Sequence, residues 1–479
     1  MKNKEGFVFV VILLHINIVY AQIPSIGIPV INIVTIDSIM PKCEIIYAPE
    51  GCSGVGITHN DYVPGRMTMI LDDDTIYDSG EYEKSVSGMR IKRRGNSTGA
   101  YLAQHPYKIK LSKKYDLLRR DDDNYKHKEW VLLSMYTWNA KMTHQESNIL
   151  NVAGLLVSQI LQKEWTPEYD FVHVVLNGEY QGLYYLMESV DKGEKRVAID
   201  DTGFLIEHDT FWWNENQFFR TEYQDYKTAY TYKYPDDDNI NDSIQHVIQT
   251  FMSEFENCLN NHEDISKYIN IESFAKWILI HDILGTDDVA GCNRFLCKKD
   301  YDEKEPYTSK LEMGPVWDYD SMFRSDTWSS LHTSNWFYYP ILFNVEDFKY
   351  EYVKLWQNIK PTIKQKIQEG MNTAIQKYSH IFDENIKLHQ TKYPNEGKQD
   401  FKSQAEEITD KLIKRIDILE SLITDNFDIN TVDNISYPLS VIQITDLYGQ
   451  KYTDCTKIKE GIYILEYSNG EKKKVYYHR

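Results

Sequence analysis

The chemistry in this 479-residue sequence is concentrated between Asp287 and Asp320. The stretch opens Asp287-Asp288-Val289-Ala290-Gly291-Cys292-Asn293 and, after a predicted β-hairpin, closes Gly314-Pro315-Val316-Trp317-Asp318-Tyr319-Asp320. An acid five residues ahead of an amide, as Asp288 is of Asn293, can orient or deprotonate an attacking hydroxyl while the amide holds a metal on phosphates. That spacing alone is common, and by itself a polar loop with a capping acid explains it better. Asp318 and Asp320 shift the balance. If Pro315-Val316-Trp317 is strand, Tyr319 points inward and both acids aim the same way. Carboxylate oxygens suit Mg²⁺, a hard cation. The chemistry implied is phosphoryl transfer.

These residues need elements to position them. Asn270 as N-cap, the apolar spacing of Ile271, Phe274, Ala275, Ile278 and Leu279, and Gly285 as a stop predict a helix over Ile271–Leu284. The strand Arg294–Cys297 then holds the far end of the loop. Earlier in the chain, strands are predicted at Val30–Ile36, Met67–Leu71, Val86–Lys92 and Tyr107–Leu111. Between the last two lies Arg93-Arg94-Gly95-Asn96-Ser97-Thr98-Gly99, whose glycines and hydroxyl residues can present backbone N–H groups to phosphates from Arg94 onward. Asn96-Ser97-Thr98 also matches a glycosylation sequon. Lys108 and Lys110 share one face of the next strand and either reaches phosphates or is simply solvated.

A helix is predicted over about Thr143–Lys163. Asn177-Gly178 joins Phe171–Leu176 to Gly182–Met187 as a hairpin, and Glu188 ends the second strand. Phe204–Glu207 is a further short strand. Asp236 to Asp242 has neither the Gly nor the Glu of a calcium loop and caps a helix over about Ser243–Leu259. Residues 345–425 are mainly helical, and 436–479 form a small separate β-unit.

Apolar and charged fractions of 42% and 26% mark an ordinary globular chain, and a net charge of −19 argues against a nucleic-acid partner. Lys2, Lys4, the apolar run Phe7–Val19 and Val19-Tyr20-Ala21 predict a signal peptide over 1–21, cut before Gln22. That run is too short to span a membrane, and no transmembrane segment is expected in the mature chain. Among six cysteines, Cys43 and Cys52 are the best placed to pair.

A set of segments in this order carries a resemblance. Met89 to Thr98, Pro106 to Leu111, Trp130 to Leu133, Leu176 to Tyr184, Gly203 to Glu207 and Gly314 to Asp320 together resemble the spore coat protein H (CotH) family of atypical secreted protein kinases, over roughly residues 25–360. The resemblance implies transfer of the ATP γ-phosphate to Ser/Thr of a partner protein, with ATP and Mg²⁺ (or Mn²⁺) as cofactors. It assigns the catalytic acid to Asp288 and metal binding to Asn293, Asp318 and Asp320. It also selects Lys110 over Lys108 for the phosphates and places Glu188 at an inter-lobe hinge. Two departures stand out: no Arg lies near Thr143, and no Gly follows Asp320. The C-terminal Leu447 to Lys474 resembles sorting domains of the type IX secretion route.

The expected fold is α+β: a divergent protein-kinase-like two-lobed fold with a β-rich lobe (22–188), a mainly helical lobe (189–430) and a C-terminal β-module. Arg94, Lys110 and Glu188 should meet the acids in an inter-lobe cleft, in a protein secreted or held at the cell surface. The competing readings are a catalytically inactive kinase-like adhesion or assembly protein and, third, a carbohydrate-active or carbohydrate-binding protein.

Overall fold

In the computed structural model the described residues are 27–59, 62–135, 149–236, 239–286, 292–323, 330–331, 337–394, 400–427, 441–446, 451–452, 461–467 and 472–477. The signal-peptide segment and Asp288 lie outside them. The chain forms two compact units, Met1–Ile423 and Thr424–Arg479.

The first unit begins with ten strands: β1 (Val30–Thr35), β2 (Ile45–Tyr47), β3 (Val55–Ile57), β4 (Val63–Leu71), β5 (Asp74–Asp78), β6 (Met89–Arg93), β7 (Tyr107–Tyr115), β8 (His127–Ser134), β9 (Tyr169–Leu176) and β10 (Glu179–Glu188). β2 and β3 pair by themselves, and the other eight form one sheet in the order β1-β9-β10-β8-β7-β6-β4-β5. β4 pairs β6 through Val63–Gly65 and β1 through Gly65–Ile70, so seven strands close in a ring and β5 hangs on β4. Closure removes free edges and needs apolar side chains at alternate positions of every strand. Ile31, Ile33, Met67, Met69, Ile91, Ile109, Leu111, Trp130, Leu132, Val172 and Val174 supply them. In the first half of β7 the alternation is clear: Tyr107, Ile109 and Leu111 are buried, while Lys108 and Lys110 face the other way. The β9–β10 hairpin turns on Asn177 and Gly178, both at positive φ (53° and 82°), as a two-residue Asn-Gly turn requires.

A second sheet follows: β11 (Phe204–Asp209), β12 (Phe218–Phe219), β13 (Ala229–Tyr234), β14 (Arg294–Lys298) and β15 (Leu311–Met313), ordered β12-β13-β11-β14-β15. The helices are α1 (Ser97–Tyr101), α2 (Leu150–Ile160), α3 (Asp242–Asn260), α4 (Ile271–Leu284), α5 (Tyr339–Leu342), α6 (Glu346–Ile359), α7 (Ile363–Lys392) and α8 (Phe401–Asn426). α4 matches its predicted bounds. The Asn270 side chain accepts from Ser273 N at 3.3 Å, and Gly285 closes the helix at φ 60°. Asn241, inside the Asp236–Asp242 segment, caps α3 by accepting from Ser243 N and Ile244 N, both at 3.1 Å.

Five expectations need correction. The strand predicted from Val86 starts at Met89, because Glu83–Ser87 turns back on itself and Gly88 sits at φ 77°. The segment between the strands after Gly95 is not simply a connection but enters α1. Described helix ends at Ile160 rather than Lys163, since Gln162 adopts φ 53°. Pro315–Trp317 is not strand: β15 ends at Met313, before a cis Gly314–Pro315 bond. The Cys43 and Cys52 thiols are not bridged to each other.

The second unit holds β16 (Val441–Asp446), β17 (Lys451–Tyr452), β18 (Gly461–Tyr467) and β19 (Lys472–Tyr477) as a sheet ordered β17-β16-β18-β19. Among the described residues no helix is long and apolar enough to cross a membrane.

Candidate functional site

A cleft of about 460 Å³ lies in the first unit, between the segment after β6 and the second sheet. Arg94, Asn293, Asp318 and Asp320 all line it, as do Gly95–Thr98. Each arrives by a different local route.

Asn293 stands directly before β14, in the left-handed conformation (φ 60°) that asparagine tolerates better than most residues. Its backbone N–H donates to Glu207 Oε1 at 2.9 Å. The β14–β15 hairpin pairs Leu296 with Met313, and Gly314 N donates to Phe295 O at 2.8 Å. The chain leaving β15 therefore returns beside Asn293 and brings Asp318 with it.

The acid pair is aimed by a different device from strand alternation. Asp318 is itself left-handed (φ 62°), a conformation that concentrates at functional sites when the surroundings enforce it. Tyr319 supplies that enforcement. Its ring is fully buried and its hydroxyl lies 2.7 Å from Ser158 Oγ, while its N–H donates to Asn151 Oδ1 at 3.4 Å. A Cβ on Gly154 would fall 2.2 Å from the ring. Asn151, Gly154 and Ser158 are spaced three and four apart, one face of α2. That face seats Tyr319, and Asp318 and Asp320 emerge on either side of it.

Arg94 follows β6, its N–H bonded to Pro106 O at 3.1 Å. Burial pushes its guanidinium below the ordinary value, and the carboxylates of Asp318 and Glu207 oppose that shift. Asn96 precedes α1 without capping it. Its Oδ1 accepts instead from Asn214 Nδ2 at 3.0 Å, which ties this segment to the turn after β11.

The two lysines divide. Lys108 and Lys110 both pair with Glu129, Lys110 at 2.6 Å, but only Lys108 lines the cleft. Burial pushes the Glu129 carboxyl up, and the two ammonium groups outweigh it and hold it at about 2. Glu188 is not brought to the cleft. It accepts from Arg120 Nη2 at 2.9 Å and from Glu168 N at 3.0 Å, with Arg196 Nε 4.0 Å away. Burial pushes its carboxyl up against the pull of both arginines. The next two residues, Ser189 and Val190, turn back into the cleft wall.

Sequence reasoning gave no role to Glu207, Asp209, Lys233 or Asn214, which also touch the cleft or its rim. Glu207 and Asp209 project from one face of β11, as residues two apart in a strand must. Lys233 Nζ sits 3.1 Å from Glu207 and 3.7 Å from Glu215. Alternation in β11 was the available signal for the two acids; nothing in sequence pointed to Lys233.

Helix α4, which leads toward residues 287–291, is clamped from downstream. Tyr352 hydroxyl donates to Asp282 Oδ2 and Arg415 Nε to the Asp282 carbonyl, both at 2.8 Å. Asn293, Asp318 and Asp320 all line the cleft, and amide and carboxylate oxygens are the kind of ligand a hard divalent cation takes. Among the described residues, no group of three or more His, Cys, Asp or Glu is placed to hold a metal ion; Asp288 lies outside them.

A family profile described as CotH kinase protein matches residues 91–419, more than half of the chain. No curated protein matches it.

Proposed function

The chain belongs to the CotH kinase protein family, and from that membership we propose that it is a secreted protein kinase that passes the ATP γ-phosphate to a Ser or Thr hydroxyl of an exported or surface protein. The observation that carries this reading is the convergence of Arg94, Asn293, Asp318 and Asp320 on one cleft. In this reading the strand ring with the Arg94–Thr98 segment is one lobe, and the second sheet with its helices is the other. Arg94 and Lys108 meet phosphate oxygens, with Lys110 held behind through Glu129. Ser189 and Val190 border the nucleoside. Asp288 orients the acceptor hydroxyl and takes its proton. Asn293, Asp318 and Asp320 would hold Mg²⁺ or Mn²⁺, which when bound neutralises developing charge on the phosphates.

The test is transfer of label from γ-labelled ATP to exported proteins or to the chain itself, for wild type, Asp318→Ala and Asp288→Asn. Wild type should label, and each variant should lose at least about a hundredfold, as expected for removal of a group acting in the transition state. No nucleotide binding and no labelling by wild type would end the proposal; undiminished labelling by Asp288→Asn would end the role of that acid. Residues 1–21 act as the export signal, and 436–479, within a β-unit, act as the sorting element. Mass spectrometry of the exported chain should find Gln22 at its N-terminus. Surface display unchanged on deleting 436–479 would remove the sorting role.

A further inference from the structure

Glu207 stands where three parts of the cleft meet. It lies on β11, between β13 and β14 in the second sheet, and is 7% exposed. A carboxylate so buried is costly unless both oxygens are used. Oε1 accepts the Asn293 backbone N–H at 2.9 Å. Oε2 lies 3.1 Å from Lys233 Nζ. Both partners line the cleft, and the carboxylate also supports the Arg94 charge.

The hydrogen bond to Asn293 is the informative one. At φ 60° the Asn293 backbone occupies a well less populated than the extended or helical ones. Strand pairing does not hold this N–H, because the β11–β14 ladder runs from His208↔Arg294 to Phe204↔Lys298 and stops one residue short. The carboxylate of Glu207 extends the ladder by one bond, made with a side chain. It thereby fixes the direction in which the Asn293 amide leaves the backbone.

We propose that Glu207 is a positioning residue for this site: it locks Asn293 in its left-handed conformation and holds Lys233 against the cleft wall, so that the amide oxygen of Asn293 is presented to a divalent cation bound with a nucleotide. The cation and nucleotide rest on the kinase reading above; the lock on Asn293 does not.

The experiment uses the full mature chain with Glu207→Gln and Glu207→Ala, a fluorescent ADP analogue and a Mg²⁺ titration. Glutamine keeps an acceptor for the Asn293 N–H and alanine does not. The half-saturating Mg²⁺ for nucleotide binding should rise by about tenfold or more in Glu207→Ala, as for loss of a group that orients a metal ligand, and stay within about threefold in Glu207→Gln. A role confined to stability would lower the melting temperature without separating the two variants in Mg²⁺ dependence, and that outcome overturns the proposal. Hydrogen–deuterium exchange of the peptide bearing Asn293 gives a readout without nucleotide. Protection should be kept in Glu207→Gln and lost in Glu207→Ala. Equal protection in all three proteins overturns the lock, whereas a wild type that binds no nucleotide yet shows this exchange pattern overturns the kinase reading alone.

Discussion

Asn214 Nδ2 donates to Asn96 Oδ1 at 3.0 Å, and this bond joins the segment after β6 to the turn after β11. The same amide group reaches Ile57 O at 3.1 Å, so β3 is drawn into the junction. A side chain at Gly56 would crowd the junction: a Cβ would sit 3.0 Å from Asn214 Nδ2 and 3.1 Å from Asn96 Oδ1. In Asn214→Ala the Asn96 segment loses its tie to the second sheet. Nucleotide KM should rise by about threefold to tenfold, the worth of one hydrogen bond of about 1 kcal/mol, with little change in kcat. An unchanged KM would show that the junction does not hold the segment in place.

Lys108 and Lys110 share one carboxylate but not one surroundings. Because only Lys108 lines the cleft, Lys108→Met should weaken nucleotide binding by about tenfold or more, as for loss of a hydrogen bond to a charged group. Lys110→Met should act more weakly, through release of Glu129. The comparison is made by titration with labelled ADP, and a larger loss in Lys110→Met would return the phosphate role to Lys110.

Asp209 feels the charges of Glu207, Glu215 and Lys233. Burial first, then Glu207, pushes its carboxyl up to about 8, against Lys233 and the Phe211 N–H. The folded value is raised above the unfolded one, so the stability this group contributes is fully present below about pH 4 and is lost as pH rises through about 8. Asp209→Asn has no such dependence. Between pH 5 and 8.5 the melting temperature of wild type should fall relative to that of Asp209→Asn. Parallel curves would mean that Asp209 is already ionised in the folded protein.

The seat of Tyr319 admits only glycine at position 154. Gly154→Ala forces the ring away from α2 and should cost about 1–3 kcal/mol, the usual penalty for overpacking. Because Asp318 and Asp320 flank that ring, metal-dependent nucleotide binding should weaken as well, which calorimetric titration would read. Wild-type stability together with wild-type binding in Gly154→Ala would refute the account of how the acids are aimed.

Elements with strong local signals were legible in the sequence. α4 had a cap, a period and a stop, and the Asn177-Gly178 hairpin had its turn residues. The grouping of Arg94, Asn293, Asp318 and Asp320 followed from motif order. Backbone conformations set by distant packing were not legible. Alternation suggested that Tyr319 would aim the acids by strand geometry, yet the segment is not strand and the aiming comes from α2. Gly154, an isolated glycine in a helical pattern, was the one hint. Glu188 ends its strand as expected, but nothing local reveals that Arg120, 68 residues earlier, holds it away from the cleft. Closure of the strand ring depends on β4 pairing both β6 and β1, a long-range choice that periodicity does not encode.

The clamp on Asp282 has a consequence for how the protein is made. Its partner Arg415 follows 133 residues later in the chain, an interval on the order of ten seconds at ordinary rates of synthesis. Until that arginine leaves the ribosome and docks, the helix leading into the 287–291 segment lacks the anchor that Arg415 supplies. A nascent chain therefore carries every cleft-lining residue long before it carries the finished cleft, and truncation between Asp320 and Arg415 leaves the acids in place without the support behind them.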